Sequence, residues 1–116
     1  MWDAMSYTED QRSILETIKK FIDDEVRPRA AELDAQQNPE DGFSLDILRK
    51  ADELGIRTMT LSNEWGGQGL DSLTTAMVIE ELARGDIGIS ATFAQTLKIA
   101  QIMEKALTAE QKPRVL

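Results

Sequence analysis

The stretch NEWGGQGLDSLTTAMVIEELARGD, residues 63–86, decides the fold. It places three of the chain's seven glycines, Gly66, Gly67 and Gly69, just before a long apolar run. A glycine cluster ahead of a helix can cradle a phosphate, or it can be a tight turn. A dinucleotide fingerprint needs G-x-G-x-x-G between a strand and a helix. Here the order is G-G-x-G, with no alternating strand pattern before it and no later glycine at the required spacing. A P-loop needs Lys followed by Ser or Thr after the last glycine. This chain has Leu70-Asp71 there, and Asp71 would repel a phosphate. The stretch therefore predicts a turn made possible by glycine's positive φ angles, with Asp71 or Ser72 as N-cap of the next helix. In that helix Ala76, Met77, Val78, Ile79, Leu82 and Ala83 cover most of the circumference, a pattern expected of a helix buried on several sides.

Working outward, every segment reads as helix or connector. Thr8 and Gln11 have capping-box spacing, and Glu9 and Asp10 suit a positive helix start. Ile14, Leu15, Ile18, Phe21, Ile22 and Val26 then recur at helical spacing. Pro28 predicts a kink or break near Arg27, and residues 35–42 read as a loop. Ser44 is the expected N-cap of a second helix, with Leu45, Leu48, Ala51 and Leu54 as its stripe and Gly55 as its stop. Ile56–Leu61 has no pairing strand nearby and reads as an ordered connector. Gly85 and Gly88 bracket a predicted turn before a long helix, ISATFAQTLKIAQIMEKAL. Thr108 and Gln111 repeat the capping-box spacing, so another helix is expected from about residue 109. The chain stops at Leu116, inside that helix, which suggests a piece of something larger. The fold class is all-α: an up-and-down bundle of about four to five helices.

Composition excludes several chemistries. The 116 residues fit one domain and carry a formal net charge of −8. Nucleic acid and anionic lipid both need clustered cations, so neither is an expected partner. The chain has no cysteine and no histidine. Disulfides, thiolate or imidazole metal sites and Ser-His-Asp catalysis are therefore unavailable. Met1–Asp10 is acidic and lacks the apolar run of a signal peptide. No apolar stretch approaches the roughly 20 residues that span a bilayer. The expected location is cytoplasmic.

Two patterns remain as candidate sites. Glu80-Glu81 and Asp23-Asp24-Glu25 are adjacent pairs and triples. Neighbours on a helix diverge by about 100° and do not converge on a substrate. They read as solvated faces with an ion pair to Arg84. Ala91, Ala94, Gln95 and Lys98 fall at i, i+3, i+4 and i+7, on one small and polar helix face. Phe93, Leu97, Ala100 and Met103 supply bulk elsewhere. Such a face can admit another helix or leave room for a ligand.

Three segments together carry a family resemblance. YTEDQRSILETIKKFIDDEVRPRAAELDA, LDILRKADELGIRTMTLSNEWGGQGLDSLTTAMVIEELARGDIGIS and LTAEQKPRVL resemble, in order and spacing, the N-terminal helical domain of the acyl-CoA dehydrogenases. The most specific pieces are the glycine loop, Ser62–Leu70, and the E-E-L-A-R-x-D turn, Glu80–Asp86. Ser62 departs from the family, whose members commonly carry Pro there.

The resemblance implies residues 1–116 as that first domain, with the family's middle β and C-terminal helical domains absent. It implies a flavoenzyme that removes two hydrogens from the α,β carbons of an acyl-CoA thioester. A carboxylate takes the α-proton and FAD accepts the β-hydride. FAD and the catalytic Glu belong to the other domains. The chain itself thus has no expected catalytic, cofactor-binding or metal-binding residue, and should be inert alone. The resemblance implies an acyl-CoA substrate, contacts with the chain's own middle and C-terminal domains, and a homo-oligomer, usually a tetramer. It places Ser90, Ala91, Ala94, Gln95 and Lys98 along one wall of the acyl pocket. Ser90, where glutaryl-accepting members carry Arg, disfavours a glutaryl group. Ala91 and Ala94 leave volume for a long or bulky one. The alternatives are a same-fold acyl-CoA oxidase or flavin monooxygenase, and a stand-alone helical module for protein contacts.

Overall fold

The computed structural model describes residues 7–116, so most of the acidic stretch read for a signal peptide, Met1–Asp10, lies outside the described residues. The chain forms a helical bundle. Its elements are α1 (Glu9–Phe21), a π turn (Ile22–Val26), α2 (Arg27–Asp34), α3 (Leu45–Glu53), α4 (Ser72–Gly85), α5 (Ile87–Ala106) and a short α6 (Lys112–Val115). Among the described residues there is no strand.

Helix α1 starts as its sequence dictates. Thr8 Oγ1 accepts from the Gln11 amide at 3.1 Å, and Gln11 Oε1 accepts from the Thr8 amide at 3.0 Å. Gln11 also reaches across the bundle, where its Nε2 donates to Thr74 Oγ1 at 3.1 Å. The starts of α1 and α4 are thereby joined by one side chain.

Pro28 does not end this helix. The backbone widens into a π turn instead, and the Arg27 amide bonds to the Ile22 carbonyl, five residues back. Pro28 then sits in the first turn of α2, directly after the π turn. The expected break becomes a change of helical register within one continuous rod. That register keeps Ile18, Phe21, Ile22 and Val26 all buried.

Helix α3 follows the predicted loop, part of which winds into a 3₁₀ turn at Pro39–Gly42. Ser44 caps it by accepting from the Ile47 amide, and Gly55 ends it with φ of +71°. Its inner face, Ile47 and Ala51, is buried. Charges tie its outer edge to the rod: Lys50 Nζ lies 2.6 Å from Glu25 and Arg29 lies 3.1 Å from Asp46, while Lys50 and Asp46 pair within α3 at 3.3 Å. Exposed pairs of this kind are screened by water and contribute little to stability. The buried Ile47 and Ala51 hold α3 in place.

The connector Ile56–Leu61 is a run of turns that buries Ile56, Met59, Thr60 and Leu61. The glycine loop closes onto it. Gly66 and Gly69 take positive φ of +82° and +63°. Gly67 is needed for space: a Cβ there would stand 2.0 Å from the Leu61 carbonyl oxygen and 2.5 Å from that of Thr58. The loop then delivers Asp71, which caps α4 through the Thr74 amide at 2.8 Å.

Helix α4 packs against α1, the π turn and α5. It buries Thr74, Met77, Val78 and Leu82. Ala76 and Ala83 stay exposed, so burial is narrower than its composition suggests. The turn into α5 is also shorter than expected. Asp86 alone separates the helices and caps α5 through the Ile89 amide at 2.8 Å, which draws Gly88 into the helix. Phe93 and Leu97 of α5 complete the core, with the Phe93 ring edge-on to Phe21 at 6.3 Å between centroids. Each such side chain contributes about 1.5–3 kcal/mol by leaving water.

Two outcomes follow. Gly67→Ala forces a methyl into backbone oxygens, so it should cost more than about 3 kcal/mol, read as a lowered urea midpoint. The Thr74 side chain and amide hold the Asp71 carboxyl below the usual carboxylate range. A depressed folded pKa stabilises above the unfolded value, about 4, and that stability is lost as pH falls through the folded one. Urea midpoints of Asp71→Asn between pH 6 and pH 3 should therefore fall less steeply than those of the parent chain.

Candidate functional site

The candidate site is α5, and its orientation follows from what its inner side holds. Phe93 and Leu97 face the core. Ser90 joins them: it is 3% exposed, and its hydroxyl donates to the Ile79 carbonyl of α4 at 2.9 Å. With these positions turned inward, the 100° step of the helix turns the next ones outward. Ala91, Gln95 and Lys98 are exposed and Ala94 is half-buried. The five residues singled out in the sequence therefore divide. Four form an outward strip, and Ser90 lies at its inner margin, hydrogen-bonded to the neighbouring helix. The strip continues C-terminally into exposed apolar side chains, Ile99 at 50% and Ile102 at 56%.

The acidic runs do not converge. Lys20 pairs with Asp24 at 2.6 Å, Arg27 with Asp23 at 3.8 Å, and Lys50 with Glu25 at 2.6 Å, each in its own direction. Glu81 meets Arg84 on α4, as its sequence spacing suggested. Among the described residues no group of three or more carboxylates could hold a metal ion.

A cleft of about 480 Å³ opens between α3, its preceding loop and the start of α5. Phe43, Ile47, Leu48 and Ile89 line it, together with Asp34 and Asp86, and no Lys or Arg does. Two carboxylates without a cation repel a pyrophosphate. The cleft does not fit the diphosphate of FAD, and its position is apart from the Ala91–Lys98 strip.

Sequence reasoning missed a polar seam between the connector and α5. Thr60 Oγ1 donates to the Leu97 carbonyl at 3.0 Å. The Ser62 amide donates to Glu104 at 3.1 Å, and the Ser62 hydroxyl donates to the same carboxylate. Partners 37 and 42 residues apart leave no local spacing to read.

The described residues thus form a helical bundle in which α5 buries one side and turns a small, polar strip outward. Comparison with known proteins names its kind. The acyl-CoA dehydrogenase N-terminal domain family matches residues 8–116, and the chain belongs to that family. It is 30% identical over 111 residues to a short-chain-specific acyl-CoA dehydrogenase of Clostridium acetobutylicum, covering 94% of this chain and 28% of that protein. It is 28% identical over 113 residues to the mitochondrial isobutyryl-CoA dehydrogenase of Dictyostelium discoideum, covering 97% and 26%. A third relative, the mitochondrial isovaleryl-CoA dehydrogenase of Pongo abelii, is 28% identical over 107 residues, covering 90% and 25%. The chain thus spans roughly a quarter of the length of these relatives. No solved structure matches it. No helix among the described residues is long and apolar enough to cross a membrane.

Proposed function

We propose that this chain is the first domain of an FAD-dependent acyl-CoA dehydrogenase, and that α5 supplies one wall of its acyl pocket. The supporting observation is the outward strip Ala91, Ala94, Gln95 and Lys98, carried by a helix whose other side is anchored in the core. Such a helix can hold an acyl tail in register, because its position is set by packing and not by the ligand. Ala91 and Ala94 give the tail room, and Ser90 at the margin limits how deep it can run.

FAD, when bound, would supply the hydride acceptor. The residues here do not fit its diphosphate, and the described carboxylates diverge, so the flavin and the base that takes the α-proton are assigned to sequence outside this chain. The 116-residue chain alone is proposed to be inactive. Its proposed partners are its own further domains, the acyl-CoA substrate and other copies of the full-length protein in a homo-oligomer, and its proposed location is the cytoplasm. The relatives' names, short-chain, isobutyryl and isovaleryl, favour a short or branched acyl group over the long one that Ala91 and Ala94 leave volume for. Room beside two alanines suits a branch.

The test is acyl-CoA-dependent dye reduction by the full-length protein. Flavin-loaded protein inactive on every acyl-CoA would sink the reading. Steady peroxide release in place of dye reduction would mark an oxidase. In the same assay, Lys98→Leu should raise kcat/KM for plain aliphatic acyl groups by roughly tenfold, the worth of a small apolar contact. An unchanged profile would remove Lys98 from the wall.

A further inference from the structure

We propose that Glu104 is a positioning residue: it straps the glycine loop to the end of α5 by binding both donors of Ser62. Glu104 stands in the last turn of α5, which ends at Ala106. Free carbonyls make that end of a helix negative, so a carboxylate there is repelled unless donors hold it. Ser62 supplies them. Its amide lies 3.1 Å from Glu104 Oε2 and 3.3 Å from Oε1, and its hydroxyl donates to Oε1. Hydrogen bonds to an ionised acceptor are about twice as strong as neutral ones.

The strap has a second point. Thr60 Oγ1 donates to the Leu97 carbonyl at 3.0 Å in a buried position. Leu97 and Glu104 are one heptad apart, so they share a face about 10.5 Å apart along the axis. Thr60 to Ser62 could span at most about 7 Å even if fully extended. The Glu104 side chain closes the difference because helical side chains lean toward the N-terminus.

Ser62 is also the joint of the loop. Its carbonyl accepts from the Trp65 amide at 3.0 Å and from the Gly67 amide at 3.1 Å. Its neighbour's carbonyl, Leu61, accepts from Gly69 at 2.7 Å. Holding Ser62 therefore holds Trp65–Gly69, and with it the entry to α4. The strap concerns loop position and stands whether or not α5 touches an acyl group.

A double-mutant cycle tests it in the 116-residue chain, in a Trp2→Phe background so that Trp65 is the sole tryptophan. Ser62→Ala removes the hydroxyl donor and puts nothing new in the direction of the amide hydrogen, which points at Glu104. Glu104→Ala should speed hydrogen exchange of the Gly66, Gly67 and Gly69 amides by roughly tenfold and shift Trp65 emission. On Ser62→Ala, where only the amide still binds Glu104, the same substitution should have a smaller effect on both. Glu104→Gln keeps an acceptor oxygen and should give a smaller effect than Glu104→Ala, smaller again on Ser62→Ala. Equal acceleration in both backgrounds, or none in either, overturns the strap. Should Glu104→Ala fail to fold, the Glu104→Gln pair decides by the same criterion.

Discussion

The inward hold on α5 is the constraint from which the rest follows. Ser90 bonds to the Ile79 carbonyl, Phe93 meets Phe21 edge-on, and Leu97 is buried with its carbonyl accepting from Thr60. Three contacts spaced at 90, 93 and 97 leave the helix no rotational freedom. Whatever else α5 does, Ala91, Gln95 and Lys98 must face away from the core. The rod of α1, π turn and α2 supports this arrangement from behind. The end of α4 comes so close to the π turn that a Cβ on Gly85 would lie 2.5 Å from Ile22 Cγ2. Glycine is what lets α4 and the rod touch where α4 turns into α5.

Much of the fold was legible because helix ends are written in short-range chemistry. Thr8 with Gln11, Ser44 and Asp71 act as their spacing implies. Thr108 and Gln111 form their reciprocal bonds, but residues 109–111 remain a turn and α6 begins only at Lys112. The glycine loop is a turn, as the absence of a cation and a strand indicated. What sequence spacing misjudged lay in tertiary context. Pro28 signals a break to any local rule, but the π turn places it in the first turn of α2 and the rod continues. Ala76 and Ala83 count as apolar on α4 yet have no neighbour to cover them among the described residues.

The site was legible to a lesser degree, for the same reason. Helical periodicity grouped Ala91, Ala94, Gln95 and Lys98, and the structure keeps them on one outward face. It gave no hint that Ser90 is bonded to α4, because a serine beside a polar strip looks like part of it. The Ser62–Glu104 contact joins residues 42 apart in sequence and follows from no motif. Long-range polar pairs of this kind require the fold before they can be read.

The central claim is that the outward strip of α5 faces the acyl group. The direct measurement is photolabelling of the full-length protein with an acyl-CoA that carries a diazirine on its acyl chain, followed by peptide mapping. The account predicts label within residues 91–98, competed away by unlabelled substrate. Competable label confined to other segments, with α5 unmarked, would contradict it.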